Sequence, residues 1–312
     1  MAYDLSRALV PAVSSRALFD LEWEARIYAR LGPAQFREHQ LAAEAESLNP
    51  GTAFPLVRGL LGLNPAIGDR AVEVIVVSRN TPDVGLRVTR AIAEHGLDIS
   101  RIAYIGREPI VPYLSAYKSD LFLSCNDSDV QAAIDAGLAA AALYRPPDQA
   151  VAELTDLRIA FDADAVVFSE ESEHIYRTKG LAAFLAHEAE NANKLLAEGP
   201  LARLLMRLGS LQKARGSDEM PIRIAIVTAR NSPAHERVIR TLRAWGVTVD
   251  AAFFLGGIPK AEVLAAFGAH IYFDDQEAHL APSARDLPCA LVPHRSDSVL
   301  RARAAPASGA PA

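Results

Sequence analysis

An alternation of strand-like and helix-like segments, which occurs twice, most constrains the fold. Each half contains a buried strand, an amphipathic helix and a second strand in that order, at 72–77, 84–95 and 102–105 and again at 222–227, 234–245 and 251–255. Apolar spacing typical of helices also covers 17–40, 180–190 and 201–213. Strand–helix alternation of this kind predicts an α/β fold with a doubly wound parallel sheet.

The two halves superpose without gaps at a shift of 150 residues. The matched positions include the glycines that follow the helices and a Gly-x-x-Pro turn: Gly96 and Gly246, Gly106 and Gly256, Pro109 and Pro259. The run before Asp162 matches the run before Ser14 at a shift of 148. Unrelated α/β units share composition, so coincidence stays open, but the gapless match of turns favours a tandem duplication.

Composition excludes several classes of protein. Of 312 residues, 50% are apolar and the mean hydropathy is +0.10, which permits a sizeable core. The formal net charge of −6 argues against a nucleic-acid or membrane-surface partner. Cys125 and Cys289 lie far apart, which indicates no disulfide framework and favours a reducing compartment. Without a signal-peptide pattern or an apolar run long enough to cross a bilayer, we expect a soluble cytoplasmic protein.

Two carboxylates stand where an apolar strand should end. The β-prone run 157–161 is followed by Asp162 and Asp164, with further apolar residues after them. Ligands of open parallel sheets bind at the carboxyl ends of the strands. A carboxylate in apolar surroundings needs a partner, often a metal ion. An ordinary acidic turn is the alternative interpretation of this pair.

Polar residues also follow the other predicted strands of the second half. In chain order they are Thr228, Lys260, Asp274 and Asp275. Because the carboxyl ends of parallel strands lie at one edge, these side chains could share one crevice with Asp162 and Asp164. Several carboxylates in one crevice repel each other, and Mg²⁺, which takes oxygen ligands, would relieve this. No His/Cys cluster has the spacing of a zinc site.

This set of residues suits phosphoryl transfer. Lys260, Mg²⁺, the Thr228 hydroxyl and the N–H groups that follow it, including those of Ala229 and Arg230, would neutralise and orient a phosphoryl group. An aspartate can act as the nucleophile, and a second carboxyl can protonate the leaving oxygen and later activate water. Taken singly, the threonine is explained by a helix cap, the lysine by a solvated helix start and the acidic pair by a turn.

The first repeat lacks the charged residues at the matching positions. It has Ser14 for Asp162, Arg16 for Asp164, Ser78 for Thr228, Ile110 for Lys260, and Ser124-Cys125 for Asp274-Asp275. If the duplication is real, this half keeps the scaffold without the chemistry. It then either packs against the second half or binds a regulatory ligand.

Several motifs resemble those of the haloacid-dehalogenase-like (HAD-like) phosphohydrolases and, more narrowly, of the cytosolic type I 5′-nucleotidases. The similar stretches lie at 12–19, 51–56, 158–173, 187–188, 199–201, 227–230 and 272–276, and the resemblance covers about residues 10 to 295. One departure is Ala163, where that family often has glycine. The resemblance implies a HAD-like doubly wound parallel sheet with a helical cap insertion.

The resemblance also implies an activity and a set of roles. The activity is Mg²⁺-dependent hydrolysis of nucleoside 5′-monophosphates, AMP above all and also IMP or deoxynucleotides, through an aspartyl-phosphate. Asp162 would be the nucleophile, Asp164 the general acid and base, and Thr228 and Lys260 the phosphate ligands. Mg²⁺ would be held by Asp162, the Asp164 carbonyl and Asp274, with Asp275 as ligand or support.

Recognition of the base and sugar is less clearly encoded. Phe168 or Tyr176 could stack on the base or belong to the core, and His187 lies on or near the predicted cap. Arg230 could contact substrate or pair with a cap carboxylate such as Glu171. We expect a homo-oligomer with no nucleic-acid or membrane partner. A nucleotide effector is a further candidate partner.

The resulting domain prediction has three parts. Residues 1–150 form a degenerate α/β repeat, 151–300 a catalytic HAD-like core with a cap at about 170–220, and 301–312 a disordered tail. Two other functions stay open at this point: a HAD phosphatase for another small phosphomonoester, and a nucleotide-binding regulator.

Overall fold

The computed structural model describes residues 4–67, 70–147, 156–213 and 221–301. In these residues the strands are β1 (Pro11–Val13), β2 (Ile75–Ser78), β3 (Arg101–Tyr104), β4 (Leu121–Ser124), β5 (Ala140–Leu143), β6 (Leu157–Phe161), β7 (Ile222–Thr228), β8 (Ala251–Phe254), β9 (Ile271–Asp274) and β10 (Cys289–Leu291). Except for Arg301, the predicted tail lies outside the described residues.

Helices connect and cover these strands. After a 3-10 turn at Leu5–Arg7, they are α1 (Ser15–Leu18), α2 (Glu22–Leu31), α3 (Pro33–Ala42), α4 (Phe54–Leu61), α5 (Leu63–Ile67), α6 (Leu86–Glu94), α7 (Val111–Ala116), α8 (Asp127–Asp135), α9 (Glu171–Glu190), α10 (Ala202–Lys213), α11 (His235–Ala244), α12 (Lys260–Phe267) and α13 (Glu277–Ser283). None of them combines the length and apolar character that a bilayer crossing requires.

The ten described strands form one sheet in the order β3-β2-β1-β4-β5-β10-β9-β6-β7-β8. Neighbouring strands pair in parallel except β5 and β10, which are antiparallel. The predicted α/β fold is therefore confirmed as a mixed α/β fold with a mostly parallel sheet. Central strands such as β2 and β4 are buried along their whole length, which explains their continuous apolar runs.

We call residues 4–147 the first half and 156–301 the second half. Read from the outer edge inward, each half has the same strand order, β3-β2-β1-β4-β5 and β8-β7-β6-β9-β10. Because β5 and β10 are antiparallel, the halves run in opposite directions. The carboxyl ends of β1 to β5 and those of β6 to β10 therefore lie at opposite edges of the sheet.

One helix from each half packs near the junction. Leu56 and Leu60 of α4 meet Leu204 and Leu208 of α10 around a small apolar gap. Each buried leucine contributes about 1.5–3 kcal/mol to the hydrophobic stabilisation of this core. Although α10 falls in the stretch predicted as a cap, it packs within the core rather than above the sheet.

The helix α9 is bent into a hairpin at Gly180. This glycine has φ 79° and ψ 179°, a conformation that glycine adopts at no steric cost. Gly32 has nearly the same angles, φ 87° and ψ 179°, and separates α2 from α3. The helical spacing over 17–40, which the sequence interrupts at Gly32-Pro33, corresponds to the end of α1, α2 and most of α3, and Gly32 separates α2 from α3. Both hairpins carry an edge-to-face aromatic pair, Tyr28 with Phe36 and Tyr176 with Phe184.

Candidate active site

The parallel pairing of β6 with β9 brings acidic residues to one edge of the sheet. Phe161 pairs with Phe273, and the N–H of Asp162 donates to the Phe273 carbonyl at 2.8 Å. The rings of these two phenylalanines stack with their centroids 5.3 Å apart, which braces the strand ends. One oxygen from each of Asp162, Asp274 and Asp275 lies within 4.8 Å of the others. The predicted convergence of carboxylates is therefore present.

Lys260 lies between two of these acids. Its Nζ is 2.9 Å from Asp162 Oδ1 and 2.7 Å from Asp274 Oδ2, and it donates to the Tyr272 hydroxyl at 2.9 Å. The tyrosine hydroxyl in turn donates to Asp274. Burial acts to lower the pKa of Lys260, but the charges of Asp162 and Asp274 outweigh it and raise that pKa above that of an ordinary lysine. The lysine is thus a fixed cation.

Burial raises the pKa of two of the three clustered aspartates, Asp162 and Asp275. It raises the pKa of Asp162 to about 7, with Lys260 opposing and Asp274 reinforcing the shift. Burial also raises the pKa of Asp275 well above its usual range. By contrast, the pKa of Asp274 is lowered, because hydrogen bonds from His279 and Lys260 and the charge of Lys260 outweigh its burial. Burial therefore favours the protonated forms of Asp162 and Asp275, whereas Asp274 is held in its charged form.

Asp275 gives a direct test of whether these residues suit a cation. Neither of its oxygens accepts a hydrogen bond from the described residues, and its side chain is 1% exposed. The His294 Nε2 lies 3.4 Å and an Arg177 nitrogen 3.9 Å from Asp275 Oδ2, and neither makes a hydrogen bond with it. A buried carboxylate without donors is costly, and an oxygen-seeking dication removes that cost. The donor set fits Mg²⁺.

Thr228 closes β7 beside this cluster. Its buried hydroxyl accepts a hydrogen bond from the N–H of Arg230 at 3.2 Å, which fixes the turn through Ala229. All three residues line the same cavity as Asp162 and Lys260. The structure therefore brings Thr228, Ala229 and Arg230 to the cavity of Asp162 and Lys260, and their role as phosphate ligands stays a prediction.

Asp164 belongs to a buried chain of charges that the sequence analysis missed. Its two oxygens accept hydrogen bonds from Arg230, at 2.8 Å from Nε and 2.5 Å from Nη2. The third nitrogen of Arg230 donates to Glu188 Oε2 at 2.5 Å. Glu188 also accepts from Arg237 at 3.1 Å and from Ser172 at 2.8 Å. Arg230 therefore pairs with a cap carboxylate, as one alternative proposed, but the carboxylate is Glu188 rather than Glu171.

A cavity of about 370 Å³ opens above the acids. The residues from the strand ends that line it are Asp162, Asp164, Thr228, Ala229, Arg230 and Lys260, and α9 supplies an apolar wall of Tyr176, Leu181 and Phe184. A larger cavity of about 560 Å³, lined in part by Glu170 and His294, contains none of the clustered carboxylates. Of these two cavities, the smaller is the one that Asp162, Asp164 and Lys260 line.

Two residues predicted to contact substrate lie elsewhere. Phe168 is fully buried and packs against the Trp245 ring, with centroids 5.4 Å apart. His187 contacts Glu171 and Arg237 on the far side of α9. Neither lines the cavity of the acids. We therefore correct these two assignments: the turn after Asp164 directs Phe168 into the core, and the helical phase of α9 turns His187 away. Tyr176, in contrast, does line the cavity.

The fold and the site together define an α/β protein with a buried acid–lysine cluster suited to a dication and a phosphoryl group. The chain belongs to the 5′-nucleotidase family, because the model of that family matches residues 1–299. This confirms the family predicted from the motifs.

A curated relative supports the same conclusion. The chain is 37% identical over 290 residues to human cytosolic 5′-nucleotidase 1B. The match covers 89% of this chain and 47% of the human protein, so the chain spans about half the length of that relative.

Solved structures give no further guidance. A Pseudomonas aeruginosa UCBPP-PA14 structure described as a universal stress protein matches with 10% identity and a TM-score of 0.33, covering 92% of this chain and 93% of that chain. A protein of unknown function from P. aeruginosa PAO1 matches with 9% identity and a TM-score of 0.36, covering 93% and 94%. TM-scores this low establish neither a shared fold nor a shared function.

Proposed function

We propose that this protein hydrolyses nucleoside 5′-monophosphates, of the AMP or IMP type and also their deoxy forms, to nucleoside and phosphate. The observation that carries the proposal is the convergence of Asp162, Asp274 and Asp275 around Lys260 beneath a cavity with an aromatic wall. Membership of the 5′-nucleotidase family supports it. The protein would act in the cytoplasm, in keeping with the name of the human relative.

The metal in this proposal is Mg²⁺. Asp162, Asp274 and Asp275 would hold it with the carbonyl of Asp164, and the unpartnered oxygens of Asp275 are the strongest support. When bound, the ion would neutralise charge on the phosphoryl oxygens.

The protein's own residues would then perform two displacements. In the first, an oxygen of Asp162 bonds to phosphorus, the bond from phosphorus to the ribose O5′ breaks, and Asp164 gives its proton to O5′. Lys260, the Thr228 hydroxyl and the N–H of Ala229 bind the phosphoryl oxygens. Arg230 occupies one lone-pair position on each oxygen of Asp164, and the positions that remain can hold the proton.

Water completes the reaction in the second displacement. A water oxygen bonds to phosphorus, its proton passes to Asp164, and the bond from phosphorus to Asp162 breaks. Phosphate and the starting protonation state of both aspartates result. One carboxyl thus serves as acid and then as base, which requires that its position stays fixed through both steps.

The domain organisation belongs to the same proposal. The second half would be a HAD-like catalytic core with the α9 hairpin as its cap, and the first half a degenerate copy. The shared strand order, the matching bends at Gly32 and Gly180 and the two aromatic pairs support this duplication. Packing of α10 in the core supports a cap smaller than the stretch 170–220. A homo-oligomer and a nucleotide effector remain predictions.

Phosphate release from a panel of phosphomonoesters tests the proposed activity. The panel contains 5′-nucleotides with different bases, deoxynucleotides and sugar phosphates, each with Mg²⁺ and with a chelator. We expect Mg²⁺-dependent release, highest with a 5′-nucleotide, and its loss in the nearly isosteric Asp162→Asn variant. A preference for sugar phosphates would support the other phosphatase hypothesis. Nucleotide binding without release would contradict enzymatic function.

A further inference from the structure

We infer that Glu188 is a positioning residue: it holds Arg230, and Arg230 in turn holds the carboxyl of Asp164 toward the leaving oxygen. This inference rests on the proposed function. Glu188 lies on α9 and does not line the cavity, so any influence on the reaction must pass through another side chain.

Contacts of Arg230 show how the position of Asp164 is fixed. The guanidinium makes a two-point pair with Asp164 and a third charged bond to Glu188. Its remaining surroundings are the carbonyl of Ala234 at 3.3 Å and the Phe184 ring, 5.4 Å from the guanidinium carbon. Two-point pairs of arginine and carboxylate restrict geometry as well as adding energy. The orientation of Asp164 therefore depends on the Arg230 guanidinium, which Glu188 holds from the side opposite Asp164.

Glu188 is the residue that holds Arg230, and Glu188 is itself held by hydrogen bonds from three side chains. Its side chain is 0% exposed and accepts bonds from Arg230, Arg237 and Ser172. Ser172 reaches it across the bend of the α9 hairpin. A buried carboxylate with three donors has little freedom to move. It transmits the position of the hairpin to Arg230.

The first half supplies an internal comparison for this chain of charges. Where the second half has Asp164, Arg230, Glu188, Arg237 and Ser172, the first has Arg16, Asn80, Gln40, Arg87 and Glu24 at shifts of 148 or 150. Arg87 donates to Gln40 at 3.2 Å, as Arg237 does to Glu188 at 3.1 Å. The backbone carbonyls of Glu46 and Lys194 accept from the same two arginines. The equivalence therefore holds in space as well as in sequence.

The comparison shows what the placement of Glu188 adds. In the first half the buried carboxylate is Glu24, on the first helix of the hairpin, and it pairs with Arg87 at 2.6 Å. That arrangement satisfies the buried arginine but connects it to no residue at the strand ends, where Asn80 is neutral. In the second half the carboxylate stands on the second helix, at a position from which it also reaches Arg230. Stability alone would be served by either arrangement.

A comparison of two leaving groups tests the inference. Glu188→Gln installs the first half's own residue, and Glu24→Gln is the matched control, since it also removes a buried carboxylate from an arginine. The substrates are AMP, whose ribose alkoxide needs a proton to leave, and p-nitrophenyl phosphate, whose phenolate does not. The quantity measured is kcat/KM, which includes only the steps up to the aspartyl-phosphate.

We expect Glu188→Gln to lower kcat/KM for AMP by about 10- to 100-fold, part of what a general acid contributes. The value for p-nitrophenyl phosphate should change by less than about threefold, since that reaction does not use the acid. Glu24→Gln should leave both values unchanged even if it lowers Tm. An equal loss on both substrates, or no loss on AMP, would overturn the inference.

A double variant removes the effect of stability. Ser172→Glu together with Glu188→Gln transfers the first half's arrangement to the second half, so that Arg237 keeps a buried carboxylate while Arg230 keeps Asp164 and loses Glu188. We expect Tm to recover relative to Glu188→Gln while the selective loss on AMP persists. Recovery of AMP hydrolysis would overturn the inference. A wild-type protein inactive on both substrates would overturn the proposed function and, with it, this inference.

Discussion

The two halves of the molecule form the same hydrogen-bonded turns at their strand ends but carry different side chains there. In the first half, Ser78 accepts a hydrogen bond from the N–H of Asn80 at 3.2 Å, and Ser124 accepts one from the N–H of Asn126 at 3.1 Å. In the second half, Thr228 accepts a hydrogen bond from the N–H of Arg230 at 3.2 Å, and Asp274 accepts one from the N–H of Gln276 at 2.8 Å. A serine hydroxyl is thus sufficient to form these turns. The carboxylate of Asp274 must be explained by something other than the turn.

The difference between the crevices is a matched set of charges. Lys260 stands among three acids, whereas its counterpart, Ile110, is a buried core residue beside Ser14 and Ser124. An isoleucine in place of Lys260 would leave the acids of the second crevice unneutralised, whereas the buried acid of the first crevice, Asp129, already pairs with Arg79. Cation and anions are therefore present together or absent together, which indicates that they act as one unit.

The strongest test of this unit is to give the second half the first half's residue. Lys260→Ile should lower kcat for AMP by at least about 1,000-fold, because phosphate binding and the acid cluster fail together. It should also cost about 3–5 kcal/mol of stability in the metal-free protein, since buried carboxylates lose their cation. Phosphate release and urea unfolding measure the two effects. With Ile110→Val as control, we expect near-normal activity, and activity of Lys260→Ile close to wild type would contradict the assignment.

A substitution at Asp275 should have the next largest effect: it should stabilise the metal-free protein and weaken the binding of Mg²⁺. Its counterpart in the first half is Cys125, and its own oxygens have no hydrogen-bond donor among the described residues. Asp275→Asn should raise Tm in a chelator, because a repelled buried charge is removed, by a few degrees for about 1 kcal/mol. The same change should weaken Mg²⁺ binding about 10- to 100-fold. Thermal unfolding across a Mg²⁺ titration measures both. A lower Tm in chelator would show that Asp275 is stabilised by a contact other than the metal.

The two-point arginine pairs of the two halves allow a smaller, matched comparison. Arg230 pairs with Asp164 through Nε and Nη2, and Arg79 pairs with the buried Asp129 through the same two nitrogens. A lysine keeps the charge and loses the fork, so Arg230→Lys should lower kcat/KM for AMP about tenfold, whereas Arg79→Lys should affect stability alone. Steady-state kinetics with both variants provides the measurement. Equal kinetic losses would show that the effect is one of folding.

Substitutions in the two aromatic pairs should have the smallest effect on the kinetics of AMP hydrolysis. Tyr176 lines the cavity of the acids, and Tyr28 holds the matching place in the first half. Tyr176→Ala should raise KM for AMP several-fold with little change in kcat, as expected for the loss of one stacking contact of about 1 kcal/mol. Tyr28→Ala should leave KM unchanged. A fall in kcat with constant KM would instead place Tyr176 in the chemistry.

The sequence could predict the parts of the site that depend on local pattern and one topological rule. Asp162, Thr228, Lys260 and Asp274 follow or border strands, and parallel strands end at a common edge. No such rule predicts Glu188, because its contact with Arg230 depends on how the α9 hairpin folds back at Gly180. The sequence leaves Phe168 open between a base contact and the core, because an aromatic residue after a turn has the same appearance in sequence in either place, and the structure places it in the core.

The helices posed a different difficulty. The amphipathic spacing of α10 suits a cap helix and a core helix equally, and only packing against α4 decides between them. The sequence comparison at a shift of 150 does not align the α2–α3 hairpin with α9, because the shift between the halves is 148 residues in the hairpins and 150 residues from β2 and β7 onward. A gapless comparison at 150 misses Gly32 and Gly180, although the structure gives them almost identical dihedral angles.

The antiparallel pairing of β5 with β10 has a consequence for aggregation. Each five-stranded half ends in a strand whose open edge would present unpaired N–H and C=O groups, and such edges recruit other chains. Here each half covers the edge of the other, which leaves β3 and β8 as the outer edges of the sheet. A half produced alone would expose β5 or β10 and should self-associate through it. In the intact chain, each half therefore protects the inner edge of the other from association with further chains.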